Sequence, residues 1–384
     1  MQYYLCEPDY SAILYPFSQI RTFGELRIGL LKNITRYENY LGHVVDDHQS
    51  NTTDEIAVFI NAAFIADKQF ADAIMQLKVY EALCCQNEIM AICISANQFK
   101  GFEFVQYDAV SHKRYEFAVS MLTNPFDIVC LNQAYLADDI LNLDMQDASE
   151  MLSIHNNIIG SGKIIAEHGV KISGAFLNTE NGPIYLGKNV QIMEGVCIRG
   201  PVAILEDAVI KMGATIYGAT TIGKKCIVGG EIKNSVFFDY SNKAHHGYIG
   251  DSVIGSWCNM GAGTSCSNVK NNAGDIYLWN PLLKKPVHVG GKCGVIMGDH
   301  SKTAINTSLN SGTVTGICCN IVKAGFPPKY IPDFTWDVDS AEVYREDKLW
   351  EDLHNWMKMK HEILDEKNKH LILHLYKERK NTIQ

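Results

Sequence analysis

The hydrophobic positions change rhythm near residue 158. Counting forward in sixes from Leu186 meets Ile192, Ile198, Ile204, Ile210, Ile216, Ile222 and Val228, every one aliphatic. An upstream phase runs through Ile158, Ile164, Val170 and Phe176. A period of six suits neither a helix nor a plain alternating strand. It suits a short strand plus a tight corner. Three such edges close one turn of a triangular coil, and each aliphatic anchor stacks inward on the anchor of the next turn. Gly187, Gly195, Gly213, Gly218 and Gly223 lie near the anchors and supply the corner dihedrals. Ordinary hairpins with chance spacing would not give eight hits without a miss. The rhythm falters over 230–250, which predicts an inserted loop, and insertions on one face of a coil often carry the site. It resumes at 249–255 and again around 287–298, and the Gly- and Pro-rich stretch near 325–332 marks the end of the coil.

Residues before the coil read as mixed α/β. The apolar runs 56–60 and 89–94 predict buried strands, and the spacing of Ile74, Leu77, Val79, Tyr80 and Leu83 predicts a helix over 72–84. The polar stretch 45–54 predicts an exposed loop. After the coil, Ser340 offers a helix cap. Leu349, Leu353, Trp356, Met357, Ile363, Leu364, Leu371 and Leu375 then form an amphipathic stripe. The polar side mixes both charge signs and includes Asp347, Glu351, Asp352 and Glu362, which suits packing or an oligomer contact rather than a membrane. The predicted division is an α/β domain over 1–150, a coil over 151–335 and a helical tail over 336–384.

Composition narrows the class. The 384 residues are 47% hydrophobic and 20% charged, an ordinary globular balance. A net charge of -9 gives no general attraction to nucleic acid or anionic lipid. No apolar run is long enough for a membrane span, and the N-terminus has no basic region leading into an apolar stretch, so no signal peptide is expected. The 12 cysteines include no C-x-x-C pair and sit mostly in apolar runs. Reduced, buried thiols in a cytoplasmic protein are the expectation.

One cluster carries chemistry. His245 and His246 are adjacent, stand near Lys233 and Lys243, and are followed by Asn-Met-Gly-Ala-Gly at 259–263. Neutral imidazole accepts a proton from an attacking amine or hydroxyl. Lysines hold an anionic substrate such as a sugar phosphate. The Gly-Ala-Gly run lets a ligand approach the backbone. On spacing alone this reading stands level with loop histidines bonded to nearby backbone.

The coil, together with Asn-Lys-Ala-His-His-Gly-Tyr-Ile-Gly-Asp at 242–251 and Asn-Met-Gly-Ala-Gly-Thr at 259–264, resembles the bifunctional bacterial enzyme of UDP-N-acetylglucosamine synthesis. That family joins an N-terminal uridylyltransferase to a glucosamine-1-phosphate acetyltransferase of left-handed β-helix fold. Gly-Asp-His-Ser-Lys-Thr at 298–303, Ile-Asn-Thr at 305–307 and Gly-Thr-Val at 312–314 are similar to a divergent branch of sugar-phosphate nucleotidyltransferase/acetyltransferase proteins. Matched outward from Gly250-Asp251, the resemblance implies His245 as catalytic base. The loop is one residue short, which leaves His246 as the alternative. It implies Lys233, Lys243, Tyr248, Asn259, Asn268 and Lys284 as substrate contacts, and Ala262 and Gly298 as contacts to acetyl-CoA, the co-substrate. It also implies a homotrimer, with sites in clefts between prisms.

The N-terminal domain departs from the family. It is short and lacks the Gly-x-Gly-Thr-Arg-Met type phosphate loop; Ile-Arg-Thr-Phe-Gly-Glu-Leu-Arg-Ile-Gly stands at 20–29 instead. Arg21 and Arg27 there are candidate phosphate ligands or a surface ion-pair site. Asp67 and Asp127 are the candidate carboxylates for a Mg²⁺ ion, should this domain be active. The expected function is acetyl transfer to an amino-sugar phosphate. The rivals are nucleotidyl transfer without acetyl transfer, a non-catalytic sugar-nucleotide sensor, and a zinc hydratase using His245, His246, His288 and His300, whose family spacing is absent.

Overall fold

The computed structural model describes residues 1–46, 55–85, 88–103, 107, 109–323, 325–339 and 342–383. From 157 to 331 the chain winds into a parallel coil, and its three faces stack nine, eight and six strands. Face one runs from Ile164–Ala166 to Tyr330–Ile331, face two from Lys171–Ile172 to Asn320–Ile321, and face three from Asn157–Ile159 to Tyr248–Gly250. The anchors fill the interior: Leu186, Ile204, Ile210, Ile216, Ile222 and Val228 are wholly buried. The upstream phase is partly displaced. Phe176 is 44% exposed, and its neighbour Leu177 points inward, level with Ile158 and Ile198.

The expected loop over 230–250 is not an insertion. Strands Glu231–Lys233, Val236–Phe237, Asn242–Lys243 and Tyr248–Gly250 continue all three faces. The rhythm breaks because the turn is short. Val202 sits 18 residues after its partner Ile184, whereas Asn242 sits 15 after Ile227. The corner after Val228 shrinks to Gly229-Gly230, where added side chains would meet the Ala244 carbonyl at 2.5 Å and the Gly247 carbonyl at 2.7 Å. Only glycine allows that approach, and Gly230 also has a φ of +75°. The true insertion comes later. An antiparallel hairpin, Ile276–Asn280 with Lys285–Gly290, interrupts the coil, so residues 287–290 are not a rung and Val253 pairs with Ile296.

The N-terminal sheet has the order Val45–Asp46, Gln2–Cys6, Ile56–Asn61, Glu88–Ser95, Glu81–Cys85, Ser111–Arg114. The first three strands are parallel, and Glu88–Ser95 is antiparallel to both of its neighbours. Helices α1 (Asn33–Leu41), α2 (Lys68–Met75) and α3 (Asp127–Leu141) accompany it, and a short α4 (Ser149–Ser153) leads to the coil. The helix expected over 72–84 is in fact the end of α2 and a strand. A turn at Lys78–Glu81 intervenes, closed by the Glu81 carboxylate on the Lys78 amide and by Tyr80 at a φ of 63°. Of the loop expected at 45–54, Val45–Asp46 is a strand and 47–54 lie outside the described residues.

The domain packs on face one. Val236, Val253, Ile296 and Val314 turn outward from the coil into the same apolar cluster as Phe17, Phe64 and Ile128. Strands on that face carry adjacent apolar residues, as in Val236-Phe237 and Val253-Ile254, because both of their sides are buried. The tail adds a small hairpin, then α5 (Glu346–Met359) and α6 (Glu366–Ile383). Leu349 and Leu353 of α5 and Ile372 and Tyr376 of α6 cluster with Ile317 and Phe334 at the base of the coil. Ser340, the expected cap, lies outside the described residues, and α5 begins at Glu346. Among the described residues no helix is long and apolar enough to cross a membrane.

Candidate functional site

The histidine pair occupies the corner joining faces two and three. Residues 244–247 form a four-residue bend stacked on the two-residue Gly229-Gly230 bend below. Both imidazoles are exposed. Their backbone is held from within. Lys243 stands in the column of inward anchors, level with Val228, and is 0% exposed. Its ammonium donates to the carbonyls of His245 at 2.5 Å, His246 at 3.0 Å and Gly229 at 3.3 Å. Burial pushes its pKa down to about 8. Lys243 is therefore not available to a ligand: it props the bend that presents the imidazoles. The expectation of a substrate contact there is corrected.

Lys233 and Tyr248 sit on face three, on adjacent strands in which Glu231 pairs with Tyr248 and Lys233 with Gly250. Both are half-buried. Tyr248 starts its strand three residues after His245, and burial raises its hydroxyl pKa. Asn259 and Ala262 lie one turn further along, half-buried, with the Ala262 carbonyl accepting from the Asn306 amide at 2.7 Å. This stretch stacks directly on the histidine bend, since the Gly263 amide donates to the His246 carbonyl at 3.1 Å.

Of the other expected contacts, Asn268 and Gly298 are spent elsewhere, and Lys284 is exposed on the inserted hairpin. Asn268 donates to the buried carboxylate of Asp251, which also accepts from Asn234 at 2.6 Å. Lys284 sits in the turn of the inserted hairpin, whose Asn280 donates to the Ala12 carbonyl of the N-terminal domain. Gly298 is buried against the next turn, 2.4 Å being all that separates an added side chain from the Gly316 carbonyl, so no coenzyme reaches it.

The metal candidates do not converge. Asp67 caps α2 by accepting from the Phe70 amide at 2.7 Å, and Asp127 accepts from the Thr123 and Asn124 amides at the start of α3. Both carboxylates cap helix starts, and among the described residues neither belongs to a group of three side chains that could hold a Mg²⁺ ion. Among the described residues no three His, Cys, Asp or Glu side chains gather around a point. His288 pairs with Asp275 on the hairpin, and His300 is 6% exposed, its pKa driven down to about 3 by burial and by Lys302 and Arg21. All twelve cysteines are free thiols.

Arg21 and Arg27 belong to a different place. They line a cavity of about 200 Å³ between the N-terminal domain, the coil and the tail. Arg21 pairs with buried Asp299 and lies over the Phe238 ring at 4.5 Å. Arg27 donates to the Leu30 carbonyl at 2.8 Å and approaches Asp239 at 3.7 Å. Burial, opposed by Arg21, raises Asp299 to about 6. Sequence reasoning missed Asp299 and Trp257 and had His300 only as a zinc candidate; the turns that carry them are 43 residues apart because the hairpin is inserted between them.

The chain is thus a mixed α/β domain seated on one face of a hexapeptide coil, with an exposed histidine bend at a corner. Residues 3–146 match a family model described as sugar nucleotidyl transferase. The chain is 31% identical over 164 residues to the bifunctional protein GlmU of Synechococcus elongatus, covering 41% of this chain and 32% of the relative. It is 28% identical over 225 residues to that of Methanocaldococcus jannaschii (59% and 47%) and 33% over 192 residues to that of Methanococcus vannielii (50% and 40%). The matches thus span about a third to a half of the length of these curated relatives. Over those stretches the chain is similar to GlmU proteins at about 30% identity.

Proposed function

We propose that the protein transfers an acetyl group from acetyl-CoA to the amine of an amino-sugar phosphate, with His245 as general base. The observation that carries this reading is the exposed imidazole of His245 beside an uncovered face bearing Lys233 and Tyr248. The amine nitrogen attacks the thioester carbonyl, a C–N bond forms, and His245 takes the ammonium proton. The C–S bond then breaks, and the imidazolium returns the proton to the departing thiolate. A backbone amide near Ala262 steadies the oxyanion, and Lys233 holds the phosphate. Two substrates fixed side by side supply much of the rate. The test is release of free CoA with glucosamine 1-phosphate and a panel of amino-sugar phosphates. No release from any acceptor overturns the reading.

A second reading has its own support, the match of residues 3–146 to a sugar nucleotidyl transferase model. It places nucleotidyl transfer in the N-terminal domain and expects pyrophosphate release from UTP or dTTP with a sugar 1-phosphate. Sugar-nucleotide binding without either turnover would make the protein a sensor instead. We further propose a homotrimer in the cytoplasm, with face three turned toward neighbouring copies.

A further inference from the structure

The inserted hairpin, Ile276–Asn280 with Lys285–Gly290, has two unlike faces. Its inner residues Ile276 and Leu278 join the N-terminal core. Asn280 pins the tip. Its amide donates to the Ala12 carbonyl at 2.9 Å, and its oxygen accepts from the Leu282 and Leu283 amides. The ribbon is held at its inner face and its turn is set, so what it shows to solvent is fixed. The other face is aromatic. Tyr277 and Trp279 alternate outward, opposite His288 and Pro286 on the return strand. All four are exposed, and Leu282 in the turn is 53% exposed. Contiguous exposed apolar side chains mark a contact surface.

Charge here runs against the rest of the chain. Residues 268–292 hold four lysines and a single carboxylate, Asp275, in a protein of net charge -9. Asp275 is paired with His288 at 3.1 Å. Lys284 and Lys285 follow the apolar turn directly, and both are exposed and form no ion pair among the described residues. Lys270 lies over the Tyr277 ring at 5.8 Å. The partner must therefore accept both cations and apolar side chains. A two-stranded ribbon is too narrow to bury the roughly 800 Å² per side of a standard protein interface. A lipid surface asks for another combination: aromatic rings at headgroup level, a leucine pushed past them, and lysines against anionic headgroups. The hairpin supplies each of these.

We propose that this hairpin docks the protein on an anionic lipid surface, with Trp279 and Leu282 entering the headgroup boundary and Lys284 and Lys285 held against acidic headgroups. The contact lies outside the histidine bend and does not rest on acetyl transfer. The test is cosedimentation of the full chain with vesicles of phosphatidylcholine alone and of equal parts phosphatidylcholine and phosphatidylserine. Wild type should pellet with the mixed vesicles only, and less in high salt. Each basic residue near an anionic surface strengthens binding about fivefold, so the double variant Lys284→Gln, Lys285→Gln should bind about twenty-fold more weakly. Leu282→Ser should weaken binding severalfold at unchanged charge. All three side chains are exposed, so these variants keep the core intact. Tryptophan emission should shift to the blue with mixed vesicles in wild type and not in Trp279→Phe. No pelleting, equal pelleting with both vesicles, or binding indifferent to the lysine pair overturns the proposal. Binding indifferent to Leu282→Ser also overturns it and would mark a purely ionic contact, such as one to an acidic protein.

Discussion

At the residue scale, the two neighbouring lysine and histidine positions have opposite fates. His245 points to solvent, and replacing it with alanine should cut CoA release by about 10²–10⁴-fold, the range for losing a general base. If His246→Ala gives that loss and His245→Ala does not, the base is His246. Lys243 points inward, and its effect is on stability. Its native pKa is about 8 against 10.5 unfolded, so between those values the unfolded chain binds more protons and stability rises with pH. Urea unfolding of wild type against Lys243→Met should show wild type gaining about 3 kcal/mol relative to the variant from pH 8 to 10.5, from 1.36 kcal/mol per unit. A constant difference sinks the assignment. Nothing in the local string Asn-Lys-Ala-His-His marks Lys243 as an interior residue. Its register depends on a turn three residues short: Gly229-Gly230 removes two from one corner, and the step from Lys233 to Val236 removes one from the next.

At the scale of elements, the six-residue rhythm from Leu186 to Val228 was readable because each anchor has the same neighbours in every turn. The inserted hairpin was not, because Val287 and Val289 read as another rung while the hairpin packs Ile276 and Leu278 against the N-terminal domain. Asn280 donates to Ala12 and its own oxygen accepts from the Leu282 and Leu283 amides at 3.0 Å. Asn280→Ala should destabilise the protein by about 1–3 kcal/mol in thermal melts, by stranding buried polar groups. Helices α1 and α3 are joined by a buried pair, Arg36 with Asp139, through two bonds of 2.6 Å. Asp139→Asn leaves Arg36 uncompensated and should cost about 3–5 kcal/mol. A loss below 1 kcal/mol would mean that water reaches the pair.

At the scale of the whole molecule, faces one and three differ in what covers them. Face one lies under the N-terminal domain, whereas face three leaves Phe176, Cys197 and Glu231 in contact with solvent. Light scattering should therefore give a trimer for wild type and a monomer for Phe176→Asp. A monomeric wild type removes the proposed clefts between copies and with them the trimer.

The order of the α/β part, the coil and the helical tail followed from sequence alone, because period and glycine placement are local properties that repeat without help from distant contacts. Which lysine faces inward, which glycine is sealed, and which arginines meet Trp257 and Asp299 were settled only in three dimensions. Those outcomes depend on corner lengths and on one hairpin, and a shift by an odd number of residues in a coil exchanges inside for outside.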